Sequence, residues 1–325
     1  MALSSVLDFI GKDLKEVASI MRRALSSDIA LLDSTNESIL SNDGKMMRPM
    51  ITILSALACS GERNPDTLAY AGAVEILHNA TLLHDDVVDC SSTRRGKPTV
   101  VSLMGAGPSV LIGDYWLVKA VDLVLSSKQP LRVARLFSKT LSDLASGEML
   151  QLQCTTSCST TLEEYYRIIY SKTATLFETS GLVGAISVDA DPSKEEAVKE
   201  FTYNLGMAFQ IKDDILDYEG SEKMGKPAGQ DLKEQKITLP LFGAFASAGP
   251  QKEKQIRSLL CSVTETPSVI DTIISFVKEY DGVAWAEKVL GEWVDKALSS
   301  LRTFPEGRAR MLLEELTVFV SQRNR

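Results

Sequence analysis

Two aspartate pentads, Asp85-Asp86-Val87-Val88-Asp89 and Asp213-Asp214-Ile215-Leu216-Asp217, repeat one DDxxD pattern in this chain. Residues four apart share a helix face, so Asp85 with Asp89, and Asp213 with Asp217, each form a carboxylate pair. Such a pair repels itself. Like charges at this spacing destabilise a helix by about 0.2–0.5 kcal/mol, and the apolar flanks Leu82-Leu83 and Phe209 to Ile211 add to the penalty by withdrawing water. A cation reverses the sign. Hard oxygen ligands that leave coordination positions open suit Mg²⁺, which keeps several waters and bridges carboxylates to phosphate oxygens. Two such pairs would clamp a diphosphate, and on repulsion alone the loss of Asp85 or Asp213 should leave metal-free stability unchanged or higher.

A lone DDxxD is more often a solvated helix face, and it is the second copy that favours a metal site. Neither pentad has the glycine and terminal glutamate of a calcium-binding EF-hand loop. Zinc is disfavoured, because the chain has only two histidines, His78 and His84, on different helix faces, and no CxxC pair. Both histidines lie just ahead of Asp85, which suggests an anion-binding role for at least one.

At 325 residues and 44% hydrophobic content the chain can bury a sizeable core without covalent staples. A net charge of −8 argues against nucleic-acid binding and directs attention to local basic clusters. Five scattered cysteines fit free thiols in a reducing compartment. Asp8, Lys12, Asp13 and Lys15 interrupt any signal-peptide core, and no apolar stretch reaches the ~20 residues of a membrane span. A soluble, cytoplasmic protein without membrane insertion is expected.

The elements that must position these groups read as helices, with strict alternation rare. Stops and starts fall at Asn64-Pro65, Gly105 to Pro108, Gln129-Pro130, Asp191-Pro192, Gly249-Pro250 and Pro305 to Gly307. Thr161 with Glu164, and Ser193 with Glu196, have capping-box spacing. Cys154 to Thr160 is small and polar and reads as a loop. Nothing resembles a linker, so residues 1–325 read as a single all-α domain. The glycine-rich segment Gly220 to Gly229, following the second pentad, reads as a flexible lid.

Basic groups accompany the acids: Lys45 and Arg48, Arg94-Arg95 and Lys97, Lys172, then Lys226 and Lys236 around Asp231. Arginine forks pair bidentately with phosphate oxygens and lysines add point charges, a combination that neutralises a diphosphate. With these residues in place, the sequence resembles the trans (E-type) isoprenyl diphosphate synthases. The resemblance rests on Gly44-Lys45-x-x-Arg48-Pro49, Glu75 to His78, Leu83-His84-Asp85-Asp86-x-x-Asp89, Arg94-Arg95-Gly96, Gly113-Asp114-Tyr115 and Lys172-Thr173. It continues through Phe209-Gln210-x-x-Asp213-Asp214-x-x-Asp217, Gly225-Lys226, Asp231-Leu232, Lys236-x-Thr238-Leu239-Pro240 and Phe319-Val320-x-x-Arg323. Met46, where many members carry a second basic residue, and Val101-Ser102, where an asparagine is common, depart from it.

The resemblance implies an all-α isoprenoid-synthase bundle around a central cavity, and a prenyltransferase that joins isopentenyl diphosphate to an allylic diphosphate. Asp85 and Asp89 would bind two Mg²⁺, and Asp213 with Asp217 a third. Arg94, Lys172, Lys226 and Lys236 would hold the allylic diphosphate, and Lys45, Arg48, His78 and Arg95 the isopentenyl diphosphate. Thr173 and Gln210 would turn their dipoles to the developing carbocation, with Asp86, Asp214 and Asp231 in support. A homodimer is the family habit. Rivals are a shorter-chain synthase, a class I terpene cyclase, whose second metal motif is usually Asn/Ser/Glu, and a non-catalytic subunit of a heteromeric synthase, which would have lost aspartates. Product length should be medium to long, because Ala80 and Thr81, one turn (~5.4 Å) deeper than Asp85 on its helix, are small where short-chain relatives carry aromatics. Leu77, Val74 and Ala73 would line the next turns, with a floor around Leu144 to Met149. The alternative is that these small residues serve only close helix packing.

Overall fold

The computed structural model describes residues 2–41, 44–94, 96–219 and 228–323, which are almost entirely helical. They fall into two compact units, each assembled from separate stretches of chain.

Met1–Lys139, Thr179–Lys199 and Thr303–Leu313 form the first unit. Helices α1 (Ala2–Leu25), α2 (Ala30–Leu40), α3 (Met47–Ser60) and α4 (Pro65–Val88) lead to a minimal hairpin, β1 (Thr93–Arg94) and β2 (Lys97–Pro98). There follow α5 (Val100–Met104), α6 (Ala106–Leu125) and the start of α7 (Pro130–Ser157). On α1 the buried residues Val6, Ile10, Leu14, Val17, Met21 and Leu25 recur at intervals of three and four, the stripe of a helix buried on one side. By contrast α4 packs against α1, α3 and α6, and Ala71, Val74, Ile76, Leu77 and Ala80 are buried around its girth. Asn64 starts it as the sequence suggests: its side chain accepts from the Thr67 N–H at 3.0 Å while the Thr67 hydroxyl accepts from the Asn64 N–H at 3.1 Å, with Pro65 in the first turn. Caps of this kind contribute about 1 kcal/mol, and this one fixes the start of the helix that ends in the first pentad.

Thr140–Glu178, Glu200–Arg302 and Glu314–Arg325 form the second unit. It holds the rest of α7, α8 (Leu162–Ile169), a π-helical turn (Tyr170–Ala174), the start of α9 (Thr175–Ser187) and most of α10 (Pro192–Glu219). Then come α11 (Gln230–Lys233), α12 (Leu239–Ala248), α13 (Pro250–Cys261), α14 (Val269–Glu279), α15 (Gly282–Ser300) and a 3₁₀ turn (Leu301–Thr303), with the end of α16 (Arg308–Gln322). Its core gathers Ile211 and Ile215 of α10 with Leu239 and Leu241 of α12 and Ile273 and Val277 of α14. Thr161 and Glu164 form the expected capping box on α8. At two other helix ends the structure corrects the reading: α10 begins at Pro192, ahead of the Ser193 expected to cap it, and Cys154 to Ser157 is the last turn of α7, so the polar loop shrinks to Cys158 to Thr161.

Candidate active site

The first pentad sits at the C-terminal end of α4. Asp89 is the C-cap residue, its N–H donating to the Asp85 carbonyl at 2.8 Å, and the last turn carries no basic residue. Carboxylates at the negative end of a helix dipole are disfavoured, which compounds their mutual repulsion and strengthens the demand for a cation. Asp86 is buried, and Arg94 Nε donates to its Oδ1 at 2.8 Å. Burial pushes the Asp86 carboxyl above the usual range while Arg94 pulls it back. The hairpin that presents Arg94 pairs Thr93 with Pro98 and Arg94 with Lys97, an element that helical periodicity could not show. His84 is engaged within its own unit: its Nε2 lies 3.4 Å from Asp114 Oδ1 and 3.3 Å from the Val110 carbonyl. Gly113 makes that seat, since a Cβ there would stand 2.3 Å from His84 Nε2. His78 is half-buried on α4.

Lys45 and Arg48 flank the start of α3, Lys45 exposed and Arg48 half-buried. Met46, the departure from the family pattern, is the N-cap residue, with φ 49° in the left-handed region that a branched or bulky side chain rarely occupies. Ala80 and Leu77 are buried on α4, and half-buried Thr81 returns its hydroxyl proton to the His78 carbonyl at 2.8 Å.

In the second unit the pentad lies in the last turns of α10, and each aspartate has a different partner. Asp213 Oδ1 meets Arg323 Nη2 at 2.9 Å. Asp214, buried, accepts from the Tyr165 hydroxyl at 2.6 Å and from Gln210 Nε2 at 2.9 Å, and Gln210 Oε1 in turn accepts from the Thr173 hydroxyl at 2.7 Å. Asp217 caps α11, accepting from the Gln230 and Asp231 backbone N–H groups at 3.0 and 3.1 Å. Burial, reinforced by the Asp231 charge, raises the Asp214 carboxyl well above its usual range. Burial also pushes Asp231 up to about 7, with the Asp217 charge adding to it and Lys236 opposing.

Lys172 and Thr173 lie in the π-turn Tyr170–Ala174. Such turns insert an extra residue into a helix and re-aim its side chains. Two glycines admit this wider turn: a Cβ at Gly206 of α10 would stand 2.6 Å from Ala174 Cα, and one at Gly147 of α7 would stand 2.5 Å from Ser171 Cβ. Lys172 Nζ lies 2.7 Å from Glu148 Oε1 and donates to Gln151 Oε1 at 3.0 Å, while Lys236 pairs with Glu234. Lys172, Gln210, Asp214, Asp231 and Lys236 line one cavity with Gln151, and Thr173 stands behind Gln210. Glu148, Gln151 and Tyr165 are site residues missed by the sequence reading, and Arg323, noted there as part of the family pattern, was given no role. Glu148 and Gln151, three apart on α7, could have been found as one polar face. Arg95, Lys226 and most of the expected lid, residues 220–227, lie outside the described residues.

As a donor set the two pentads offer only carboxylate oxygen, with no thiolate, and His84 is committed to α6. Among the described residues no three His, Cys, Asp or Glu side chains converge on one point. A hard cation held by one or two carboxylates and completed by phosphate oxygens needs no such convergence, so the residues fit Mg²⁺.

Paired acidic motifs with attendant cations on an all-α scaffold define a divalent-metal diphosphate chemistry of the isoprenoid-synthase kind. The model of the polyprenyl synthetase family matches residues 29–277, and the chain belongs to that family. It is 34% identical to the octaprenyl diphosphate synthase of Escherichia coli (strain K12), over 100% of both chains. A crystal structure of the polyprenyl synthase from Caulobacter crescentus CB15, complexed with calcium and isoprenyl diphosphate, superposes with a TM-score of 0.91 at 33% identity, covering 99% of this chain and 98% of that one. A decaprenyl diphosphate synthase from Rhodobacter capsulatus gives 0.92 at 31% identity over 99% of both. The protein is a trans-prenyltransferase that makes a polyprenyl diphosphate.

Proposed function

We propose that this enzyme extends an allylic diphosphate with isopentenyl diphosphate, head to tail, to a medium- or long-chain all-trans product, and that it works as a single polyprenyl synthase domain, 1–325. The observation that carries the site assignment is the hydrogen-bonded series Thr173, Gln210, Asp214, Tyr165, anchored on the π-turn that also presents Lys172. It fixes a hydroxyl and an amide dipole beside a lysine and a divalent-metal motif, where an allylic cation needs stabilisation next to its departing diphosphate.

In this reading Asp85, Asp89, Asp213 and Asp217 hold Mg²⁺, three ions per site, which would neutralise the departing diphosphate. The calcium in the Caulobacter relative's structure supports a divalent requirement. Arg94, Lys172, Lys226 and Lys236 bind the allylic diphosphate. Three of these already rest on carboxylates, Arg94 on Asp86, Lys172 on Glu148 and Lys236 on Glu234, so each exchanges one anion for another when substrate arrives. Lys45, Arg48, His78 and Arg95 take isopentenyl diphosphate, helped by the positive end of the α3 dipole. At Asp217 metal binding would compete with its cap on α11.

Small side chains at Ala80 and Thr81, with Leu77 below, form the wall that lets the product grow, and the names of the octaprenyl and decaprenyl relatives support that length class. The assembly is a homodimer in this reading. On α6 the exposed Leu111, Val118 and Leu125 recur every seven residues as a stripe the chain leaves uncovered, which suits a second copy. A cytoplasmic location is supported by five free thiols, and among the described residues no helix is long and apolar enough to cross a membrane. Incubation with Mg²⁺, isopentenyl diphosphate and farnesyl diphosphate, followed by chromatography against all-trans standards, tests the reading. A product longer than geranylgeranyl diphosphate is expected. Cyclised hydrocarbon, a short product only, or no product from the pure chain would each contradict it.

A further inference from the structure

We propose that Arg323 is the resident counter-ion of the second pentad: it occupies Asp213 while no metal is bound and gives the carboxylate up when a divalent cation enters. The proposal deepens, and rests on, the assignment of Asp213 as a metal ligand. Three contacts converge on one guanidinium. Nη2 lies 2.9 Å from Asp213 Oδ1, the same Nη2 donates to the Phe209 carbonyl at 2.8 Å, and the guanidinium carbon lies 3.8 Å over the Phe209 ring. Phe209 and Asp213 are four apart on α10, so a single helix face provides carbonyl, ring and carboxylate.

Burial makes this seat unusual. Arg323 is 8% exposed, although it lies just beyond the last turn of α16, whereas the Asp213 side chain remains 43% exposed. The arginine thus meets Asp213 from the protein side, while the carboxylate side chain as a whole keeps access to solvent. Asp213, Asp214, Asp217, Asp231 and Glu234 bring five carboxyl groups to this region, where Arg323 pairs with Asp213 and Lys236 with Glu234. A fixed monocation beside the ligand oxygen offsets the like-charge repulsion of the empty motif. It also competes with an incoming divalent ion, because both are drawn to the same carboxylate. Apo stability and metal affinity are therefore opposed through one residue.

The test compares the full-length parent with Arg323→Met, Arg323→Lys, Phe209→Leu, Asp213→Asn and the Arg323→Met/Asp213→Asn double variant. Mn²⁺ binding is followed by electron paramagnetic resonance in the presence of inorganic pyrophosphate, and melting by calorimetry in chelator. Arg323→Met should melt lower without metal yet bind Mn²⁺ about fivefold more tightly. Arg323→Lys should lie close to the parent, and Phe209→Leu should shift both readouts the same way by less. In the Asp213→Asn background Arg323→Met should change Mn²⁺ affinity no further. Equal Mn²⁺ affinity in the parent and Arg323→Met, or weaker binding in the variant, overturns the counter-ion proposal while leaving Asp213 as a ligand. If Asp213→Asn binds Mn²⁺ as the parent does, the ligand assignment falls and the proposal with it. Should Arg323→Met fail to fold, Phe209→Leu, which keeps both charges, decides: unchanged Mn²⁺ affinity in that variant counts against the proposal.

Discussion

The two pentads are the same motif in sequence and different devices in structure. The first ends a helix, where backbone dipole and mutual repulsion act against its carboxylates, and an arginine bonds its middle aspartate, Asp86. The second is embedded: Asp213 is paired with Arg323, Asp214 with Tyr165 and Gln210, and Asp217 with the α11 backbone. A motif read as five letters therefore says which atoms can bind a cation and little about what holds them until one arrives. In the proposed reading the first pentad would draw on a metal to offset the repulsion between its carboxylates. The second has partners that a metal, in the proposed reading, would partly replace.

The largest effects should come from removing a ligand. Asp85→Ala and Asp213→Ala should each lower kcat by roughly 10³-fold, since a bound divalent ion provides several kcal/mol of charge stabilisation. Metal-free melting separates the two. Asp85→Ala should hold or rise, as repulsion alone suggests, whereas Asp213→Ala should fall by roughly 1–3 kcal/mol because it strands a buried guanidinium. Here the structure changes the sign that the sequence implied. Equal melting shifts in calorimetry would erase the contrast between the pentads.

Ala80→Phe should shorten the product sharply while the first condensations continue. An unchanged product distribution from a folded, active variant would leave Ala80 as a close-packing residue only. Overpacking of a buried site typically costs 1–3 kcal/mol, so its melting temperature should be measured alongside.

Gln210→Leu breaks the series between Thr173 and Asp214. Loss of a single preorganised dipole at a developing charge costs about 10²-fold in kcat, and KM should change little because both diphosphates are held elsewhere. A variant with raised KM and intact kcat would place Gln210 in binding instead.

The two pentads also differ in the response of stability to pH. Asp231, raised to about 7, and Asp214 and Asp217, raised in the same direction by burial, bind protons more tightly folded than unfolded. For such groups stability is greatest below the unfolded pKa and declines as pH rises towards the folded one. Metal-free protein should therefore lose stability between about pH 4 and pH 7, a loss that Mg²⁺ with pyrophosphate should reduce. Calorimetry in chelator across that range would show it, and a stability that rose towards neutrality would contradict the burial of these acids.

Much of this was legible before any coordinates. The pentads, the accompanying cations, the helical class and the caps at Asn64 and Thr161 are local patterns, set by side-chain chemistry at short spacing. What escaped was non-local or below the resolution of periodicity. The hairpin that carries Arg94 has two residues per strand, too few for alternation to register. The π-turn differs from an α-turn by one residue, and only the glycines at 147 and 206, distant in sequence, hint that something wide must fit there. Tyr165 and Arg323 reach Asp214 and Asp213 across 49 and 110 positions, a distance over which spacing carries no information. The last turn of α7 looked like a loop because Ser and Thr there satisfy carbonyls of their own helix, as the Thr156 hydroxyl does at Leu152.

The most direct test of the whole account is a crystal structure of this chain with Mg²⁺ and an unreactive allylic diphosphate analogue. The account predicts metal on oxygens of Asp85, Asp89 and Asp213, the Asp213 to Arg323 contact lengthened or lost, and Asp214 still bonded to Tyr165 and Gln210. Metal bound through Asp214, or a diphosphate held while Arg323 stays on Asp213 and no metal touches that carboxylate, would contradict it.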